Sequence, residues 1–208
     1  MEFDKKFPDR FHNIGVAEQN LAGLAAGFAA EGFIPIITSY AVFSPGRNWE
    51  QIRDTICYSN LHVIIIGAHA GLSAGIYGAT HTGIEDIAIT RVLPNMTVIS
   101  PADANQTRAA LISAVEYPGP IYIRFSRSET PIIYPNETKF EIVSADILKE
   151  GTDITLIATG SMVFLALESV NLLSNINCEV INLSTIKPID TKVIIKSAQK
   201  TGRVITIE

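Results

Sequence analysis

Residues 13–43, NIGVAEQNLAGLAAGFAAEGFIPIITSYAVF, place a small-residue helix directly ahead of a β-branched run. Leu21, Leu24, Ala25 and Phe28 recur at i, i+3, i+4 and i+7, which predicts a helix over Glu18–Ala30 with those residues as its apolar stripe. Gly23 and Gly27 form a smooth ridge on another side. Two interior glycines cost roughly 1 kcal/mol each relative to alanine, so close approach of a second helix is the expected compensation. The run Ile34–Thr38 then predicts a strand.

The same alternation continues along the chain. Strands are predicted at Val63–Gly67, Thr97–Ser100 and Ile121–Phe125, with helices near Trp49–Ser59 and Asn105–Glu116 between them. Asp103 with Gln106 has the form of a capping box at the start of the latter helix. This order predicts an α/β fold, a parallel sheet flanked by helices on both faces. From Ser126 to Val143 the texture changes. RSETPIIYPNETKFEIV (127–143) carries two prolines and no helical period, and reads as a linker. Beyond it, strands at Ile154–Thr159, Glu179–Leu183 and Val204–Ile207 enclose helices near Val163–Leu173 and Thr191–Lys200. This βαβαβ pattern predicts a second, smaller α/β unit. The expected division is 1–128, 129–143 as linker, and 144–208, with both units short of some elements at their outer ends.

Composition narrows the function classes. Apolar residues make up 47% and charged residues 18% of the 208, which excludes a disordered chain and hints at apolar surface buried against another subunit. The net charge of -5 gives no basic footprint, so nucleic acid is not an expected partner. Apolar runs such as Val63–Ile66 are far too short to span a bilayer, and MEFDKKFPDRFHN has no signal-peptide core. A cytoplasmic protein with no membrane partner is expected. Cys57 and Cys178 lie far apart without metal-ligand spacing and read as buried free thiols.

Glu18, taken by itself, reads as a helix-start carboxylate complementing the macrodipole. His12 and His62 have no informative context, whereas His69 follows a predicted strand and His81 lies in the loop Gly78-Ala79-Thr80-His81. Tyr40 and Phe43 follow another strand, where ordinary core aromatics would also sit. Arg127 could be a surface residue of the linker.

The wider context resembles a known family. NIGVAEQNLAGLAAGFAAEGFIPIITSYAVF, GRNWEQIRD, GAHAGLSAG, GATHTGIEDIAITRVLPNMTVISPADANQT and PIYIRFSR occur in order. Over about residues 8–128 they resemble the pyrimidine-binding domain of transketolases and 1-deoxyxylulose-5-phosphate synthases. Residues 140–208 resemble, less specifically, the start of the family's C-terminal domain. The resemblance implies thiamine diphosphate as cofactor, with the Glu18 carboxyl hydrogen-bonded to the aminopyrimidine so that the imino tautomer is favoured. It implies Phe43, and secondly Tyr40, as aromatics against the pyrimidine. His69 would lie near the substrate phosphate, His81 near its hydroxyls and the reacting oxygens, and Arg127 on the sugar phosphate. Arg47 belongs to the shared segment, with a structural and a cofactor role both open.

Departures from the family pattern are equally informative. In Gly75-Ile76-Tyr77-Gly78, Tyr77 stands where the family carries an aspartate that meets a substrate hydroxyl. No Gly-Asp-Gly tripeptide occurs, and no set of oxygen donors suits the Mg²⁺ that holds the diphosphate. A partner subunit supplying those ligands is therefore implied, with self-association also expected. The leading expectation is a transketolase-type subunit moving a two-carbon ketol unit between sugar phosphates. A deoxyxylulose phosphate synthase-like enzyme and a non-catalytic scaffold of the same fold are the alternatives. The GATH loop speaks against a 2-oxoacid dehydrogenase β subunit.

Overall fold

The computed structural model describes residues 2–208. A short helix α1 (Glu2–Lys6) and a tight turn lead into α2 (Glu18–Ala30), the helix expected at those positions. Its buried residues are Glu18, Ala22, Ala25 and Ala26, while Leu24 and Phe28 are 41% and 39% exposed. The predicted stripe is thus corrected. Leu21 and Ala25 face the core as predicted, whereas Leu24 and Phe28 turn outward and Ala22 and Ala26 take the inner side, because α2 lies close on the sheet. Gly23 and Gly27 sit on this outer side with no atom within 4 Å of a built Cβ.

Strand β1 (Ile36–Tyr40) begins two residues later than predicted, just after Pro35, whose carbonyl accepts from Ile64 N. Helix α3 (Trp49–Gln51) widens without a break into a π turn over Ile52–Cys57. Strands β2 (Ile64–Ala68), β3 (Thr97–Ile99) and β4 (Ile121–Arg124) alternate with α4 (Asp86–Arg91) and α5 (Ala104–Glu116). Strand β4 lies between β2 and β3, and β1, β2, β4 and β3 all run parallel. Apolar residues fill both faces, as a parallel sheet requires. Ile37, Ile65, Val98 and Tyr122 pack with α2 and the π turn, whereas Ile64, Ile99, Ile121 and Ile123 pack with Ala110 and Ala114 of α5.

The second sheet holds β5 (Asp146–Lys149), β7 (Cys178–Asn182), β6 (Ile154–Ala158) and β9 (Val204–Ile207) in that spatial order. Strand β5 runs antiparallel to β7, and the remaining pairs are parallel. Helices α6 (Met162–Asn171) and α7 (Thr191–Thr201) cover it. Strand β8 (Thr185–Lys187) crosses back and pairs antiparallel with β3, adding an edge to the first sheet. Periodicity and composition do not announce α4, β5 and β8. Cys57 and Cys178 are free and fully buried, as expected, and burial pushes the Cys57 thiol up to about 12. No helix among the described residues is long and apolar enough to cross a membrane.

Candidate active site

Ligands in open α/β sheets bind beyond the carboxyl ends of the strands. Here β1 ends at Tyr40, β2 is followed by His69, and β4 leads through Phe125 to Arg127. His69 adopts a left-handed backbone, φ +58°. The loop from Ala70 returns to pair with Gly83, and Gly71 N donates to Gly83 O at 2.7 Å. Gly83 is fixed by space, since a Cβ there would lie 2.8 Å from Val42 N. That contact presses the loop bearing Tyr77 and His81 onto the turn after β1.

Five rings consequently converge. His69 stacks on Tyr40 with centroids 4.2 Å apart, and Phe43 lies nearly parallel to Tyr40 at 6.1 Å and 7°. His81 meets Phe43 edge-on at 5.2 Å and tilts against Tyr77 at 5.9 Å. Arg127 places its guanidinium 4.9 Å from the centre of the Tyr77 ring, and its backbone amide donates to Ser73 Oγ at 3.1 Å.

Glu18 closes the group from α2. The residue is 6% exposed, yet its charge is matched: Arg47 Nη1 donates to Glu18 Oε2 at 2.8 Å, and the same guanidinium lies 4.5 Å from the centre of Phe43. Arg47 thus takes Oε2 of the two carboxylate oxygens. Asn48, fully buried, donates to the Glu18 carbonyl at 3.0 Å. Contacts therefore run continuously from Glu18 through Arg47, Phe43, His81, Tyr40, His69 and Tyr77 to Arg127. Glu18, Tyr40, Phe43, His69, His81 and Arg127, the candidates that the sequence suggests, all lie on that path.

Two features escape the linear sequence. One is the role of Arg47 as partner to Glu18, because only folding brings the turn after β1 onto the start of α2. The other is Asp86, 2% exposed, whose Oδ2 accepts from Tyr122 Oη at 2.7 Å and Arg124 Nε at 2.8 Å. No spacing signal marks that triad, since its members come from α4 and β4. His62, bonded to Ala114 O, and His12, stacked on Phe28, stand outside the site.

Residues 1–132 match the transketolase pyrimidine-binding domain family, and residues 144–208 match the transketolase C-terminal domain family. The chain belongs to the transketolase family. A putative transketolase C-terminal section of Methanocaldococcus jannaschii is 46% identical over 99% of this chain and 66% of its own length. One subunit of an apulose-4-phosphate transketolase of Phocaeicola vulgatus is 38% identical over 100% of the chain and 67% of its own. A split-gene transketolase solved as an inactive beta4 tetramer superimposes with a TM-score of 0.92 at 45% identity, covering 100% of this chain and 68% of that one. The chain thus spans about two thirds of the transketolase relatives it matches.

The transketolase family implies thiamine diphosphate, and the site suits part of it. A buried carboxylate joined through Arg47 to near-parallel aromatic faces fits a flat, nitrogen-bearing ring. No group of three or more His, Cys, Asp or Glu among the described residues could hold a metal ion.

Proposed function

We propose that this chain is the pyrimidine-holding subunit of an enzyme that transfers a two-carbon ketol unit between sugar phosphates, the reaction of EC 2.2.1.1. The observation that carries the reading is the buried Glu18 carboxylate, joined through Arg47 to the Phe43 and Tyr40 rings. It lies at the strand edge where His69, His81 and Arg127 also gather. When bound, the cofactor supplies a thiazolium that takes up the electron pair of the cleaved carbon–carbon bond.

The chain's own residues have narrower tasks. Glu18 offers its carboxylate to a ring nitrogen and holds the proton there. Tyr40 and Phe43 provide flat faces, each aromatic contact contributing on the order of 1 kcal/mol. His81 moves protons at substrate oxygens, and His69 and Arg127 meet the substrate phosphate, Arg127 through its planar fork. Tyr77 presents a ring where an aspartate would meet a hydroxyl, so it bears on the choice of donor. Assays with xylulose 5-phosphate and with pyruvate as donors separate ketol transfer from the deoxyxylulose phosphate synthase alternative.

The loops that bear the site leave Val16 87%, Ile76 95% and Leu72 81% exposed. Apolar surface of this kind favours a covering partner. The expected partner carries the Mg²⁺ and diphosphate ligands, with a second copy of the chain as a further contact. Glu18→Gln, assembled with that partner, should keep its fold and lose about 100-fold or more in turnover, the scale of one essential proton-transfer group. Wild-type turnover by this variant would falsify the role assigned to Glu18.

A further inference from the structure

The ion pair at the start of α2 occupies ground that the proposed function needs. Arg47 satisfies Glu18 Oε2 at 2.8 Å while its guanidinium covers Phe43 at 4.5 Å. One planar cation therefore meets both the carboxylate and the aromatic face that an aminopyrimidine would use. The two partners differ in freedom, for the Glu18 side chain is 7% exposed and that of Arg47 46%. The turn beneath them is fixed. A Cβ on Gly46 would lie 2.1 Å from Val42 O, Arg47 N donates to Phe43 O at 2.8 Å, and Asn48 Nδ2 donates to both Glu18 O and Ser44 Oγ. The backbone stays in place while the guanidinium can pivot outward.

We infer that Arg47 is a positioning residue that holds Glu18 and covers Phe43 ahead of the cofactor, and that the cofactor's pyrimidine displaces it. The inference rests on the proposed role of Glu18. Its energetic consequence is specific: binding must break a charge-assisted hydrogen bond, so part of the intrinsic affinity is spent on the exchange. Removing the cation relieves that cost. An ordinary structural arginine has the opposite signature, because its loss loosens the turn and weakens binding.

Calorimetric titration of thiamine diphosphate with Mg²⁺ into the assembled complex reads the exchange. Arg47→Met should bind about tenfold more tightly than wild type, the scale of one lost hydrogen bond to a charged group. Arg47→Lys, which keeps the charge without the fork, should fall between them. In the wild-type complex the Arg47 Nε–H resonance, displaced by the Phe43 ring, should shift as the cofactor saturates. Equal or weaker binding by Arg47→Met overturns the inference, as does an unmoved resonance at saturation. If Arg47→Met does not fold, the wild-type resonance decides. Hydrogen exchange at C2 of the bound thiazolium separates the two layers. Should Glu18→Gln leave that exchange unchanged, the assignment of Glu18 fails and takes Arg47 with it. Should Glu18→Gln slow it while Arg47→Met binds no tighter, only the role of Arg47 fails.

Discussion

His69 holds a left-handed backbone at φ +58°, a conformation that costs a non-glycine residue on the order of 1 kcal/mol and persists only where its surroundings enforce it. Here the enforcement comes from the stack on Tyr40. Tyr77 does comparable work at the other end of the site, lying under the Arg127 guanidinium at 4.9 Å. A cation over an exposed ring is worth roughly 0.5–1 kcal/mol. Tyr77→Ala should therefore raise KM for a phosphorylated substrate about threefold, the effect of releasing that cation, with kcat little changed. Steady-state kinetics of the assembled enzyme checks this, and a fall in kcat at constant KM would count against it. At this scale the sequence is readable wherever a motif fixes neighbours in order, as with Ser39-Tyr40-Ala41-Val42-Phe43. The role of Arg47 is unreadable there because its partner Glu18 lies 29 residues away on another element.

Helix α5 shows how an element is stopped and tied. Asp103 Oδ1 accepts from Gln106 N at 2.8 Å, as a cap should, while Oδ2 accepts from Ile133 N and Tyr134 N at 2.6 and 2.7 Å. Asp103 is thus both the cap of α5 and the anchor of the 127–143 stretch. Asp103→Ala should destabilise the protein by about 3 kcal/mol, combining a lost cap with two stranded backbone donors. Urea unfolding measures it, and a loss under about 1 kcal/mol would mean the stretch is held elsewhere. The predicted capping box is only half realised, because Gln106 Oε1 accepts from Ala102 N rather than from the cap residue's own amide. Helix α2 departs from expectation for a related reason. Periodicity identifies an apolar stripe but not its direction, and the closeness of the sheet favours Ala22, Ala25 and Ala26 over Leu24 and Phe28.

Across the whole molecule, buried polar groups join the two sheets. Gln106 Oε1 also accepts from Asn182 Nδ2 at 3.1 Å and Ser184 Oγ at 2.8 Å, beside the point where the chain leaves β7 for β8. Within the second sheet, Glu179 is fully buried and pairs with Lys200, which also donates to Glu150 at 2.7 Å. Burial pushes the Glu179 carboxyl up, but hydrogen bonds from Lys200, Ser197 and Thr155 outweigh it and hold it below the usual range. Hydrogen bonds to Glu150 and Glu179 in turn raise the Lys200 ammonium. The depressed carboxyl contributes stability above the ordinary carboxylate range, lost as pH falls through its folded value. The raised ammonium contributes below the ordinary lysine range, lost as pH rises through its folded value. Urea midpoints should thus fall on the acid side of about pH 4. In Lys200→Met, burial acts without its main counterweight, so the Glu179 share of the acid fall should shrink; an acid limb as deep as that of the wild type would refute the pairing. The local order of strands and helices, the helix at Glu18–Ala30 and the residues of the ring cluster were present in the linear chain, because periodicity and short motifs are properties of neighbours. The inward face of α2, the crossing of β8 to the first sheet, the Asp86 triad and the Arg47–Glu18 pair were not. Each depends on which distant segments burial forces together, and burial belongs to the packed chain.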